Sequence, residues 1–93
     1  MNYLDNLAEY IRSECGGGPI ALYRIYAVLA RAKAPNVTNE DVHDAWVAFT
    51  LHVRPYHRFI GPYSDLTPGV QAEDTPFRDV INRSGKETKV VKE

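Results

Sequence analysis

Apolar residues recur at three- and four-residue intervals over most of this chain, and turn-forming residues separate the runs. Tyr3, Leu4, Leu7, Tyr10 and Ile11 place one apolar face on a helix of about three turns, with Asn2 positioned to cap it. Gly16-Gly17-Gly18 ends that helix, because glycine accepts the left-handed C-terminal turn, and Pro19 suits the first position of the next. From Ile20 to Ala32 nearly every residue is apolar or aromatic, which predicts a central helix surrounded by others. Arg24 and Arg31 share one narrow stripe and mark its solvent side. Ala34-Pro35-Asn36 closes the segment.

Thr38-x-x-Asp41 has the form of a capping box, and Val37 is placed to staple against Val42, so a third helix begins near Asn39. Its buried stripe reads Val42, Ala45, Trp46, Phe49 and Val53, and it ends before Pro55. Residues 54–66 read as an ordered proline- and aromatic-rich loop with a short extended piece at Phe59-Ile60. Thr67-Pro68 and Thr75-Pro76 look like cap-plus-first-position starts, predicting a helical turn over 68–73 and a fourth helix over 76–83. Val70, Phe77, Val80 and Ile81 can cover the core. Residues 84–93 carry no buried-face pattern and read as a flexible tail. The expected fold is all-α: a compact bundle of about four helices in one domain over 1–83, with the ordered loop between helices 3 and 4.

The 93 residues are enough for one core, and 44% hydrophobic with 25% charged residues is ordinary for a globular protein. A net charge of -1 supplies no global positive field for nucleic acid or an anionic membrane, so neither is an expected partner. Cys15 is the only cysteine, which excludes an internal disulfide and fits a reducing cytoplasm. No apolar run approaches the roughly 20 residues of a membrane span. Helices this short leave apolar surface that a two-fold partner could cover, so self-association to a homo-oligomer fits as well.

The chemistry concentrates between Thr38 and Phe77. His43, Trp46 and Thr50 share one side of the third helix; either Trp46 floors a cleft beside a hydrogen-bonding His43, or the pair is core packing with a satisfied imidazole. Arg54, Tyr56, His57, Arg58 and Tyr63 crowd around two prolines. Guanidinium forks beside ring faces can hold a phosphate and stack a base. The competing reading pins the loop to the core through Tyr56 and Phe59, with the arginines paired to Asp65 or Asp74. Gly16-Gly17-Gly18 before Pro19 could offer amides to an anion with Arg24 nearby, or merely connect two helices. The separations among His43, His52 and His57 fit no metal site, and Cys15 has no adjacent activating base. No catalytic residue, metal or cofactor is expected, and no enzyme assignment follows.

The order His43-x-x-Trp46, Pro55-x-His57, Pro62-Tyr63-x-x-Leu66 and Asp74 resembles the ryanodine-receptor repeat domain of channels and of many bacterial and phage proteins, over about residues 38–83. The run Leu22 to Lys33 leading into Glu40 to Trp46 is similar to small uncharacterised proteins of actinobacteria and their phages. The resemblance implies a compact helical module without known catalysis, of a kind proposed to recognise nucleotide-derived signals. It makes the expected function a non-catalytic cytoplasmic protein that captures a phosphorylated nucleotide-type small molecule, as in sequestering a defence signal in the host cytoplasm. Trp46 and Tyr63 would stack, Arg54 and Arg58 would neutralise phosphate, His57 and His43 would hydrogen-bond, and Tyr56 would complete the site. The alternative places the same aromatic and basic surface against a host or phage protein.

Overall fold

The chain is all-α, and the computed structural model describes residues 2–91, with side chains over 2–85. Helix α1 spans Tyr3–Glu14, α2 Ile20–Lys33, α3 Asn39–Val53, the short α4 Pro68–Ala72 and α5 Thr75–Val91, with one 3-10 turn at Tyr63–Asp65. No strand occurs among the described residues. Helix α2 packs against α1, α3 and α5, so it is the central helix that its composition predicts. It is not apolar-buried on all sides, however. Ala21, Arg24, Val28 and Arg31 form an exposed stripe, while Leu22, Tyr23, Tyr26, Ala27 and Ala30 face the core with Leu7, Ile11, Val42 and Ile81.

Local chemistry fixes the helix ends. The Asn2 side chain accepts from the Asp5 N–H at 2.8 Å. Pro19 sits one residue earlier than expected, as the extended residue before α2, and its carbonyl accepts from the Leu22 and Tyr23 amides. At α3 the capping box is complete: the Thr38 hydroxyl accepts from the Asp41 N–H at 3.1 Å, and the Thr38 N–H donates to the Asp41 carboxylate at 3.0 Å. Burial pushes that carboxyl up, but Lys33 at 2.8 Å and the Thr38 bonds outweigh it and hold Asp41 below its ordinary value. Val37 and Val42 are both buried at this corner, in the staple positions.

Three sequence expectations are corrected. Val53 is 57% exposed, because α3 turns Val42, His43 and Thr50 inward and its last turn leaves Leu51 and Val53 in solvent. Phe59-Ile60 is not extended; the loop proceeds by turns at 55–56 and 58–59. The fourth long helix starts at Thr75 and runs to Val91, so it takes in most of the supposed tail, of which residues 92 and 93 lie outside the described residues.

The start of that supposed tail belongs to the core. Ser84 is 1% exposed, and Gly85 lies so close to α2 that a Cβ there would fall against the Ala34 side chain and 3.0 Å from the Ala30 carbonyl oxygen. One turn earlier, the Asn82 amide clamps the α2–α3 corner, accepting from the Val37 N–H at 2.9 Å and donating to the Val37 carbonyl at 3.0 Å. Small residues at Ala27, Ala30 and Ala34 let α5 approach this closely. Gly85→Ala is therefore expected to destabilise the protein by about 1–3 kcal/mol despite alanine's better helix propensity. Gly69→Ala in α4, where a Cβ meets nothing within 4 Å, is expected to be neutral or stabilising by up to about 1 kcal/mol. Urea unfolding of the two variants checks the pair.

Candidate functional site

The capped start of α3 holds His43 and Trp46 on one side of a rigid helix, one turn apart. His43 is 3% exposed, and its Nε2 lies 2.7 Å from the carbonyl oxygen of Gly61. A carbonyl only accepts, so Nε2 carries a proton and donates. This bond draws the 54–62 loop back over α3. A line of rings results: Tyr63 against His43 (6.0 Å), His43 stacked on Trp46 (5.8 Å, 28°), His57 edge-on to Trp46 (5.0 Å, 85°), then Phe59 beside His57 (5.6 Å). The His57 Nδ1 accepts from the Phe59 N–H at 3.1 Å, so its remaining proton sits on Nε2.

A second wall stands on α2 and α5. Tyr26 meets Tyr23 edge-on at 5.5 Å and Phe77 at 6.1 Å. The Tyr23 hydroxyl donates to the Gly17 carbonyl at 2.9 Å, tying this wall to the α1–α2 turn. Gly18 in that turn has φ +129°, and a Cβ there would crowd the Tyr23 ring at 3.1 Å, so both backbone and space require glycine. Between the two walls lies a cavity of about 380 Å³, bounded by Trp46, His43, His57 and Phe59 on one side and by Tyr23, Tyr26 and Phe77 on the other. Pro19, Leu22, Val70, Glu73 and Asp74 also line it. That volume is in the range of small-molecule sites.

Two polar groups in the cavity lack partners. Tyr26 is 2% exposed, and its hydroxyl makes no hydrogen bond among the described residues. Burial, with the Asp74 charge adding to it, pushes its phenol far above the ordinary value, so it stays a neutral donor and acceptor. Asp74 precedes α5 and uses its backbone carbonyl to accept from the Arg78 N–H at 2.9 Å, but its half-buried carboxylate has neither hydrogen bond nor ion pair among the described residues. Burial raises this carboxyl; nearby His43 pulls it back, and Glu73 adds to the rise.

Of the residues expected to bind a ligand, His43, Trp46 and His57 line the cavity. Tyr63 packs against His43 and does not line it. Arg54, Tyr56 and Arg58 lie outside: Tyr56 is 97% exposed, Arg58 rests over the Phe59 ring at 4.8 Å, and Arg54 ends α3 with an exposed side chain. The competing expectation also fails in part, because Tyr56 pins nothing and neither arginine pairs with Asp65 or Asp74. Arg24 does not serve the glycine turn, since it is taken by Asp5 at 2.8 Å; the cation at that turn is Arg12, whose Nε–H donates to the Gly18 carbonyl at 2.6 Å. Tyr23, Tyr26, Phe77 and the Asp74 carboxylate are the residues that the sequence did not mark. The only signal for them was two hydroxyl-bearing rings, three apart, inside an otherwise aliphatic helix.

A family model described as a domain of unknown function, DUF7701, matches residues 2–86. The chain belongs to the DUF7701 family. No curated protein and no solved structure matches it. The span contains every residue of the cavity, from Gly17 to Phe77, including the glycine turn and α2. Among the described residues of this DUF7701 domain no three His, Cys, Asp or Glu side chains are grouped to hold a metal ion, and no helix is long and apolar enough to cross a membrane.

The raised Asp74 carboxyl has a stability consequence of definite sign. Between the unfolded value, near the ordinary 3.8, and the higher folded value, the folded chain holds a proton that the unfolded chain has released. Asp74 therefore lowers stability as pH rises through that window, and the loss persists at neutral pH. Asp74→Asn keeps the shape without the charge, so its melting temperature is expected to exceed that of the parent at pH 7, with the difference shrinking toward about pH 3. Thermal unfolding followed by circular dichroism at both pH values checks this.

Proposed function

We propose that this DUF7701 domain is a non-catalytic receptor that captures a small planar ring compound between Trp46 and the Tyr26–Phe77 wall. The observation that carries the reading is the cavity itself: two walls of rings, held apart, with unpartnered polar atoms between them. Ring faces supply stacking and a large apolar contact, while a few polar groups fix orientation. Capture without turnover is consistent with a site in which the His43 Nε2 proton is committed to a structural bond.

The cavity supports the ring of a nucleotide-type ligand better than its phosphate. No lysine or arginine lines it, and Asp74 and Glu73 would repel an anion there. Sequestration of a signal molecule fits such a receptor if recognition falls on the base-like part. A second reading, docking of a protein partner, rests on a separate surface: the exposed Tyr56 beside Arg54, Leu51 and Val53 has the composition of an interface anchor. Cross-linking from a photoreactive residue at position 56 to a single host protein would favour it.

Trp46 is the only tryptophan, so its emission reports on the cavity alone. Titration with one- and two-ring compounds, including a nucleoside with and without its phosphate, is expected to quench or shift that emission saturably. The phosphate is expected to add no affinity, and Arg54→Ala with Arg58→Ala is expected to leave the binding curve unchanged. Absence of any saturable response contradicts the receptor reading, and a phosphate-dependent gain abolished by the double variant would restore the arginines to the site.

A further inference from the structure

Building on the receptor reading, we propose that the ligand is an aromatic cation: a planar ring bearing a positively charged nitrogen, seated with that nitrogen at Asp74 and its ring against Trp46. Three observations carry this. First, Asp74 and Glu73 are the acidic side chains that line the cavity, and no lysine or arginine is among the described lining residues, so its acidic part can accept positive charge. Second, two oxygens of the lining residues make no hydrogen bond among the described residues, the Asp74 carboxylate and the Tyr26 hydroxyl, and both can accept from a ligand N–H. Third, the lining is rich in aromatic rings, and a ring whose face meets a cation attracts it through the negative quadrupole of that face.

The unpaired state of Asp74 makes sense on this account. A half-buried carboxylate without a partner is costly to the fold, and burial raises it accordingly; a bound cation would remove that cost and add a charge-assisted hydrogen bond. The exposed Arg54 and Arg58 stand outside the cavity and do not neutralise it. Tyr26, nine-tenths buried and more, offers the ligand nitrogen a second oxygen.

Calorimetric titration of the full chain with benzamidine, benzamide and benzoate tests the charge with one ring and one shape. Benzamidine is expected to bind at least about tenfold more tightly than benzamide, as a charge-assisted hydrogen bond would give, and benzoate is expected to bind most weakly. In Asp74→Asn the benzamidine advantage over benzamide is expected to fall to about twofold or less, and an unchanged far-UV circular dichroism spectrum shows that the fold is intact. Equal binding of benzamidine and benzamide, tightest binding of benzoate, or an advantage that survives Asp74→Asn would each overturn the proposal and leave the receptor reading standing. If none of the three rings binds, the receptor reading falls together with it.

Discussion

A single hydrogen bond, from the His43 Nε2–H to the Gly61 carbonyl at 2.7 Å, ties the 54–62 loop back to α3. The 54–62 loop has no regular element to place it, and its arginines and Tyr56 contribute nothing to anchoring. The bond is made in a nearly dry setting, where an unmet carbonyl would cost on the order of 1–3 kcal/mol. Because His43 rides on a helix whose start is fixed by the Thr38–Asp41 box, the loop inherits a definite position. His57 and Phe59 are then carried over Trp46, and the ring line that forms one wall of the cavity exists only as long as this return is held.

The two halves of the interior obey different packing rules. Around α2, alanines at 27, 30 and 34 and the glycine at 85 bring α1 and α5 into close contact, with no room for a single added methyl at 85. On the α3 side, bulky rings face one another across open space, and polar atoms are left without partners. A sequence optimised only for folding would fill that space or pair Asp74. Open space and an unpaired carboxylate beside an otherwise closely packed interior are what a binding site imposes on its scaffold.

The helical half of this arrangement was legible in the sequence because its signals are local. Asn2, the three glycines, the capping box and the two Thr-Pro starts each act within a few residues, and each marks an element boundary to within a residue or two. His43 and Trp46 were legible as a pair for the same reason, being one turn apart. The loop was not, since whether Arg54 and Arg58 turn in or out depends on a contact between residues 43 and 61. Nor was the buried start of the supposed tail, because the fit of Gly85 against Ala30 and Ala34 is set by the approach of two helices far apart in the chain. Asp74 read as a pairing partner for the loop arginines; only the fold shows it lining the cavity with no ion pair or hydrogen bond to its carboxylate among the described residues.

A crystal structure of the benzamidine complex tests the central claim most directly. The account predicts density for the ring between Trp46 and Tyr26, with the amidinium within hydrogen-bond distance of the Asp74 carboxylate and the His43–Gly61 bond intact. Closure of the space by His57 and Phe59 falling onto Tyr26, or density for the probe only on the outer surface near Arg54 and Tyr56, would contradict it.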